Sequence, residues 1–265
     1  MGLPIFVVDA FTSEPFGGNP AGVVLDHGDE AWMQRLAAEM RHSETAYVRA
    51  RDAGGYDLRW FTPEVEVSLC GHATLASAHV LFETGRAPKN DTITFHTRSG
   101  ELRAAHAGAD GVTLDFPVSE PSPVDRVDAD LYAALALEPG ECLECDGDFF
   151  LCIVDEAAKV RDLDPDFAAL RAMPHVRGVY VSAPGDKGYD IVSRCFGPRV
   201  GIDEDPVTGS MHCVLAAYWC PRLGTDELRA FQASARGGEL TVRLTGDRAL
   251  LTGRATTVLS GELRA

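Results

Sequence analysis

Cys70-Gly71-His72-Ala73-Thr74-Leu75-Ala76-Ser77-Ala78-His79-Val80-Leu81-Phe82-Glu83 carries no Asp, Glu, Lys or Arg before its last residue. Apolar or small on every side from Ala73 to Glu83, it predicts a helix buried all round. Gly85, just beyond, supplies a C-terminal stop. A second segment of the same kind runs from Ser210 to Trp219, and Pro221 is expected to end it. Both predicted helices open from a Gly-containing turn, Leu69-Cys70-Gly71-His72 in one case and Pro206-Val207-Thr208-Gly209-Ser210 in the other.

Around these helices the chain repeats itself. His42, Tyr47-Val48 and Gly55-Tyr56-Asp57-Leu58 recur 133 residues later as His175, Tyr180-Val181 and Gly188-Tyr189-Asp190-Ile191. Phe61-x-Pro63 answers to Phe196-x-Pro198 at a shift of 135, and Gly71 to Gly209 and Arg98-Ser-Gly-Glu-Leu102 to Arg236-Gly-Gly-Glu-Leu240 at 138. A duplication that keeps its order predicts two copies of one architecture. In the first copy, Ile5–Asp9, Ala21–Leu25, Ala46–Ala50 and Tyr56–Phe61 read as strands. Met33, Leu36, Ala37 and Met40 fall at i, i+3, i+4 and i+7 and predict an amphipathic helix lying on a sheet. The expected fold is α+β: two strand-rich half-barrels, residues 1–118 and 124–265, each around its own buried helix. Pro117–Pro123 is the linker, and the last strand is free to pack on the first half.

Composition narrows the function classes. The 265 residues are 45% hydrophobic, enough for a sizeable core. Forty acidic against 24 basic side chains give a net charge of −16. With no basic cluster in view, nucleic acid and anionic membrane surfaces are excluded as partners. The N-terminal Ile5-Phe6-Val7-Val8-Asp9 follows no basic start or cleavage site, so no signal or membrane span is expected. Seven cysteines without framework spacing suggest reduced thiols and a cytoplasmic location. Cys142-Leu143-Glu144-Cys145 lacks the second pair or matched histidines that a zinc site needs, so no metal site is expected.

Candidate chemistry gathers at the two helix mouths. A helix N-terminus carries unsatisfied N–H donors and partial positive charge, which favour a carboxylate, and Gly71 and Gly209 would let one approach the backbone. Set across one cleft by the pseudo-twofold relation of the halves, two such ends would suit a small anionic substrate. Asp205 before Pro206 is open to two readings, a helix N-cap or a site residue. The adjacent Asp203 and Glu204 read as a solvated acidic turn. His72 sits at a mouth, whereas His79 and His212 fall inside the buried segments and are expected to be hydrogen-bonded core residues. Glu44 follows Ser43 where the amphipathic helix gives way to a strand. Its repeat counterpart is Arg177, so the halves have diverged there in charge.

Asp9-Ala-Phe11, Gly18-Asn-Pro20, Ser43-Glu-Thr-Ala46, Phe61-Thr-Pro63, Cys70-Gly-His-Ala-Thr74, Glu204-Asp-Pro-Val-Thr-Gly-Ser210 and Arg236-Gly-Gly238 together resemble the ordered motifs of the phenazine-biosynthesis-protein-F-like family. The resemblance spans nearly the whole chain. It implies the diaminopimelate-epimerase fold, a homodimer, and an isomerase that moves a proton within a small carboxylate-bearing metabolite without metal or organic cofactor. It further implies Glu44 as the catalytic acid/base and Ser43, Gly71, His72, Asp205, Gly209 and Ser210 as substrate contacts. Cys70 at the first helix mouth and Thr208, its counterpart at a shift of 138, are expected to line the pocket. The family's prototype carries Pro where this chain has Ala73, so the substrate itself is left open. Two alternatives stand beside this reading. One is a Cys/Thr amino-acid epimerase or dehydratase of the same fold. In it Cys70 works opposite Thr208, although an unaided threonine cannot deprotonate a carbon acid at neutral pH. The other is a non-catalytic small-molecule or partner-binding protein.

Overall fold

A computed structural model describes residues 2–26, 28–124 and 129–264. The chain divides into two compact units, Met1–Phe116 with Leu250–Ala265, and Pro117–Ala249. No helix among the described residues is long and apolar enough to cross a membrane.

The first unit begins with β1 (Leu3–Ala10), β2 (Asn19–Leu25), α1 (Glu30–Met40), β3 (Glu44–Ala50), β4 (Tyr56–Phe61) and the short β5 (Glu66–Val67). It continues with α2 (Gly71–Glu83), β6 (Ile93–Thr97), β7 (Gly100–His106) and β8 (Val112–Pro117). β1 pairs antiparallel with β2, β2 parallel with β3, β3 antiparallel with β4 and β4 parallel with β6. β6, β7 and β8 then follow antiparallel. α2 packs against β1, β2, β3 and β7, so the strands curve around it. All its residues from His72 to Phe82 except His79 are buried, as a helix without a polar face must be. α1 covers the other side of the sheet. Met33 and Ala37 are buried with Ile5, Val24, Tyr47 and Phe61, and Leu36 and Met40 pack alongside.

The second unit repeats this plan. Its elements are β9 (Ser122–Pro123), α3 (Ala129–Ala134), β10 (Cys142–Cys145), β11 (Phe149–Ile153), α4 (Ala157–Arg161), α5 (Phe167–Ala172), β12 (Gly178–Pro184), β13 (Ile191–Gly197) and β14 (Ile202–Asp205). α6 (Gly209–Leu223), β15 (Glu227–Gln232), β16 (Gly238–Thr245) and β17 (Arg248–Gly253) complete it, and β17 leads the chain into β18 (Ala255–Leu263). β10–β11 is antiparallel, β11–β12 parallel, β12–β13 antiparallel and β13–β15 parallel, the order seen from β1 to β6. The duplicated residues therefore carry a duplicated topology. α6 packs on β15 and β16.

Three features sharpen the pattern reading, the first of them the packing of the last strand on the first half that it allowed for. β18 runs antiparallel along β1, from Leu3 opposite Leu263 to Ala10 opposite Ala255, so backbone pairing places the last stretch of chain in the first unit. The unit boundary falls at the start of the expected linker, and within that linker Ser122–Pro123 pairs with Leu143 and Glu144 as β9 on β10. α6 does not halt before Pro221 but carries it inside the last turn. Proline removes one N–H and crowds the carbonyl four residues back. Close to a terminus few bonds are at stake, and Gly224, in the left-handed region at φ 67°, closes the helix by donating to the Cys220 carbonyl.

Candidate active site

Strand alternation aims Glu44. Successive side chains point to opposite faces of a sheet. In β3, Tyr47 lies among the residues packed with α1, so Glu44, Ala46 and Val48 face the side covered by α2. Glu44 is the first residue of β3, opposite Ala21 of β2. It is reached from α1 through Arg41, whose left-handed φ of 56° turns the chain out of the helix. The carboxyl thus arrives at the end of the strand, beside the start of α2.

At that point four side chains meet. His72 Nε2 is 3.4 Å from Glu44 Oε2 and 3.3 Å from Ser43 Oγ. Cys70 Sγ is 3.5 Å from His72 Nδ1, and Glu44, Cys70 and His72 present donor atoms all within 4.8 Å of one another. His72 and Cys70 are buried and Glu44 is largely so, with 13% of its side chain exposed. Burial raises the Glu44 carboxyl above its ordinary 4.5, and hydrogen bonds from Ser43 and Cys70 offset part of the rise. Cys70 is the N-cap of α2 and makes no side-chain capping bond. By helix geometry the N–H groups of the first turn have no acceptor inside the helix, so Gly71 and its neighbours present donors and partial positive charge here.

Asn19, quoted in a sequence motif but given no role there, completes this group. It is fully buried, and its side-chain nitrogen lies 3.2 Å from His72 Nδ1. Gly18 ahead of it has φ 57°, and a Cβ there would fall on the Ala10 carbonyl oxygen. Only glycine lets the chain turn into β2 at that point. A glycine followed by an amide residue within the quoted motif was the available sequence signal.

The corresponding mouth in the second unit is built differently. Thr208, not Asp205, occupies the N-cap of α6, so the capping reading of Asp205 is set aside. Asp205 at the end of β14 accepts from the Thr208 hydroxyl at 2.5 Å. Gln232, fully buried and absent from the sequence reading, accepts from the Thr208 amide at 2.7 Å and donates to the Asp205 carbonyl at 2.7 Å. Gly209 is buried and Ser210 exposed in the first turn of α6. Cys70 and Thr208 hold equivalent N-cap positions, as the repeat shift requires. Arg177, the counterpart of Glu44, is exposed just ahead of β12.

Other expectations can be placed residue by residue. The acidic turn is more than solvated, since the two carboxylate oxygens of Glu204 accept from Nε and Nη2 of Arg194 at 2.7 and 2.9 Å and Asp203 pairs with Arg171 at 2.6 Å. His79 Nε2 meets Thr257 Oγ1 at 3.2 Å. His212 is only half satisfied. Its Nδ1 meets the Thr208 carbonyl at 2.8 Å, its Nε2 has no hydrogen-bond partner among the described residues, and burial pushes its pKa down to about 4. All seven cysteines are buried thiols, and Cys142 Sγ lies 3.7 Å from Cys152 Sγ across β10–β11.

Residues 8–261 match the family described as "Phenazine biosynthesis-like protein". The chain is 44% identical over 266 residues to a protein of Halalkalibacterium halodurans named an uncharacterized isomerase, covering 99% of each. Among solved structures, a phenazine biosynthesis protein PhzF family member from Enterococcus faecalis superposes with a TM-score of 0.93 at 39% identity, over 100% of both chains. A hydroxyproline epimerase from Agrobacterium vitis aligns with a TM-score of 0.68 over 98% of this chain and 92% of its own. At 13% identity it speaks for a shared epimerase fold alone. The duplicated strand order, the helix mouths and near end-to-end identity above 40% agree, and the chain belongs to the phenazine biosynthesis-like, or PhzF, family.

Proposed function

We propose that this chain is an isomerase that moves a proton within a small carboxylate-bearing metabolite, with Glu44 as the acid/base. The observation that carries the reading is the Glu44 carboxyl itself, held largely out of water beside His72 and the N-terminus of α2, with its pKa raised by burial. A group that takes a proton and gives it back works best when both of its forms are accessible near the working pH. In the step proposed, the Glu44 carboxylate removes a proton from an activated carbon, and the C–H electron pair delocalises into the substrate. The neutral carboxyl then returns the proton to another carbon of the same molecule. The first-turn N–H groups of α2 supply a favourable place for an anionic group, while Ser43 and His72 orient the carboxyl. Substrate contacts at Gly71, Asp205, Gly209 and Ser210 and assembly as a homodimer are carried over from the family resemblance. The isomerase name of the Halalkalibacterium halodurans relative supports the reaction class.

One observation favours a second reading. Cys70 Sγ lies 3.5 Å from His72 Nδ1, within reach of a thiol–imidazole base of the kind a Cys/Thr epimerase or dehydratase would use. Incubation with small unsaturated and amino acids in heavy water separates the readings. Deuterium should enter a substrate carbon with the parent protein and not with Glu44→Gln. Incorporation that survives Glu44→Gln and disappears with Cys70→Ser would replace Glu44 by the thiol.

A further inference from the structure

Of the seven buried thiols, two face one another across a strand pair. β10 and β11 run antiparallel with Cys142 directly opposite Cys152, and the two sulfurs lie 3.7 Å apart. One step along the ladder, the Ile153 amide donates to the Glu141 carbonyl at 2.9 Å. Glu141 and Ile153 are therefore a hydrogen-bonded pair, and Cys142 and Cys152 are a non-hydrogen-bonded one. In that class the Cα atoms stand about 4.5 Å apart and the side chains are at their closest. A disulfide spans about 4.4–6.8 Å between Cα atoms and sets its sulfurs at about 2.05 Å. Rotation of the two side chains closes the gap and leaves the backbone pairing as it is.

The two sulfurs are not equivalent. Cys152 donates its S–H to Cys142, which draws the Cys142 thiol below its ordinary range and lifts Cys152 above it. The thiolate is the reactive form, so Cys142 is the nucleophile of the pair. It also keeps 8% of its surface against 1% for Cys152, so a small reagent meets Cys142 first. Burial pushes Cys145 and Cys213 up to about 12 and raises Cys195 and Cys220 as well, which leaves those thiols inert. The pair belongs to the core of the second unit, with Leu131, Val179 and Val181, and has no part in the group around Glu44.

We infer that Cys142 and Cys152 form a redox-reactive dithiol that a hydroperoxide closes to an intramolecular disulfide. The Cys142 thiolate attacks one oxygen of the hydroperoxide. An S–O bond forms, the O–O bond breaks, and the leaving oxygen takes up the proton that Cys142 gave up. The Cys152 sulfur then attacks the sulfenic acid on Cys142. An S–S bond forms, the S–O bond breaks, and hydroxide leaves as water with the Cys152 proton. The two thiols give up two electrons and the hydroperoxide gains them. The product closes a short loop on the hairpin, which restricts the unfolded chain, and pins β10, the strand that carries β9, to β11.

The test treats the full-length reduced protein with hydrogen peroxide, alkylates the remaining thiols under denaturing conditions and maps the peptides by mass spectrometry. Cys142 and Cys152 should resist alkylation because they are joined to each other, and dithiothreitol should restore both. The disulfide form should melt about 5 °C or more above the reduced form. Cys152→Ala removes the second thiol, so dimedone should capture a sulfenic acid on Cys142. Cys142→Ala should leave Cys152 unlabelled. Far-UV circular dichroism checks that both variants fold, and the peptide map of the parent protein decides the matter without them. Full alkylation of Cys142 and Cys152 after peroxide, or a disulfide that joins either to another cysteine, overturns the site. Dimedone on Cys152 in Cys142→Ala, with none on Cys142 in Cys152→Ala, overturns the order of attack, and an unchanged melting temperature overturns the pinning of β10 to β11.

Discussion

Glu44→Gln tests the acid/base assignment through two readouts that move in opposite directions. The amide keeps the size of the side chain and can still hydrogen-bond Ser43, but it cannot hold a transferable proton. Turnover should fall by at least about a hundredfold, the lower end for loss of a general acid/base, equivalent to about 2.7 kcal/mol of lost transition-state stabilisation. Stability should rise. Burial lifts the folded-state pKa of Glu44 above 4.5, so the folded protein binds this proton more tightly than the unfolded chain does. The stability Glu44 contributes is complete below the unfolded pKa and is lost as pH rises through the folded one. A neutral amide has no such loss. The melting temperature of Glu44→Gln minus that of the parent should therefore grow as pH is raised from acid towards neutral, at about 2–4 °C for each kcal/mol in a chain of this size. Thermal melts across pH and heavy-water exchange on the same preparations supply both numbers. A variant that turns over within tenfold of the parent, or whose melting difference shrinks as pH rises, refutes the argument.

Leu75 is fully buried in α2, so Leu75→Ala should cost about 2–5 kcal/mol, read by denaturant unfolding; a loss below 1 kcal/mol would mean that α2 is not the packed centre of its unit. Gly18→Ala forces a side chain into a left-handed turn against the Ala10 carbonyl and should destabilise the fold by more than about 1 kcal/mol; an unchanged unfolding midpoint would show that the turn is not constrained. Cys70→Ser should lose less turnover than Glu44→Gln in the same heavy-water assay, and the reverse order would install the thiol as base. Light scattering at working concentration should give the mass of a homodimer, and a monomer throughout would remove that inference.

The fold was legible because each decisive signal was a matter of period or order. A helix without charge has nowhere to go but the interior, as α2 confirms from His72 to Phe82 at every residue but His79, and a colinear repeat reports topology without any need to recognise single strands. Pairing partners were less legible. β18 belongs with β1 through backbone hydrogen bonds, which leave no mark in side-chain type. The continuation of α6 through Pro221 depends on what little a terminal turn has to lose. In the site, motif and charge pointed to Glu44, Ser43, Cys70 and His72, whose meeting follows from strand alternation and from α2 beginning where β3 begins. Asn19 and Gln232 escaped because a buried amide differs from an exposed one only in what surrounds it. Each holds a helix mouth in place, Asn19 through the ring of His72 and Gln232 through the backbone at Thr208 and Asp205. The divergence between the mouths then has a physical form. The first places a carboxyl, a thiol and an imidazole in one buried group. The second commits its carboxyl to a threonine hydroxyl at 2.5 Å, and Arg177 stands exposed at the position that Glu44 occupies in the first. A duplicated fold with a carboxyl, thiol and imidazole grouped at one mouth and the other mouth's carboxyl bonded to its own threonine fits the proton transfer proposed above, in which a single carboxyl would both remove and restore the proton.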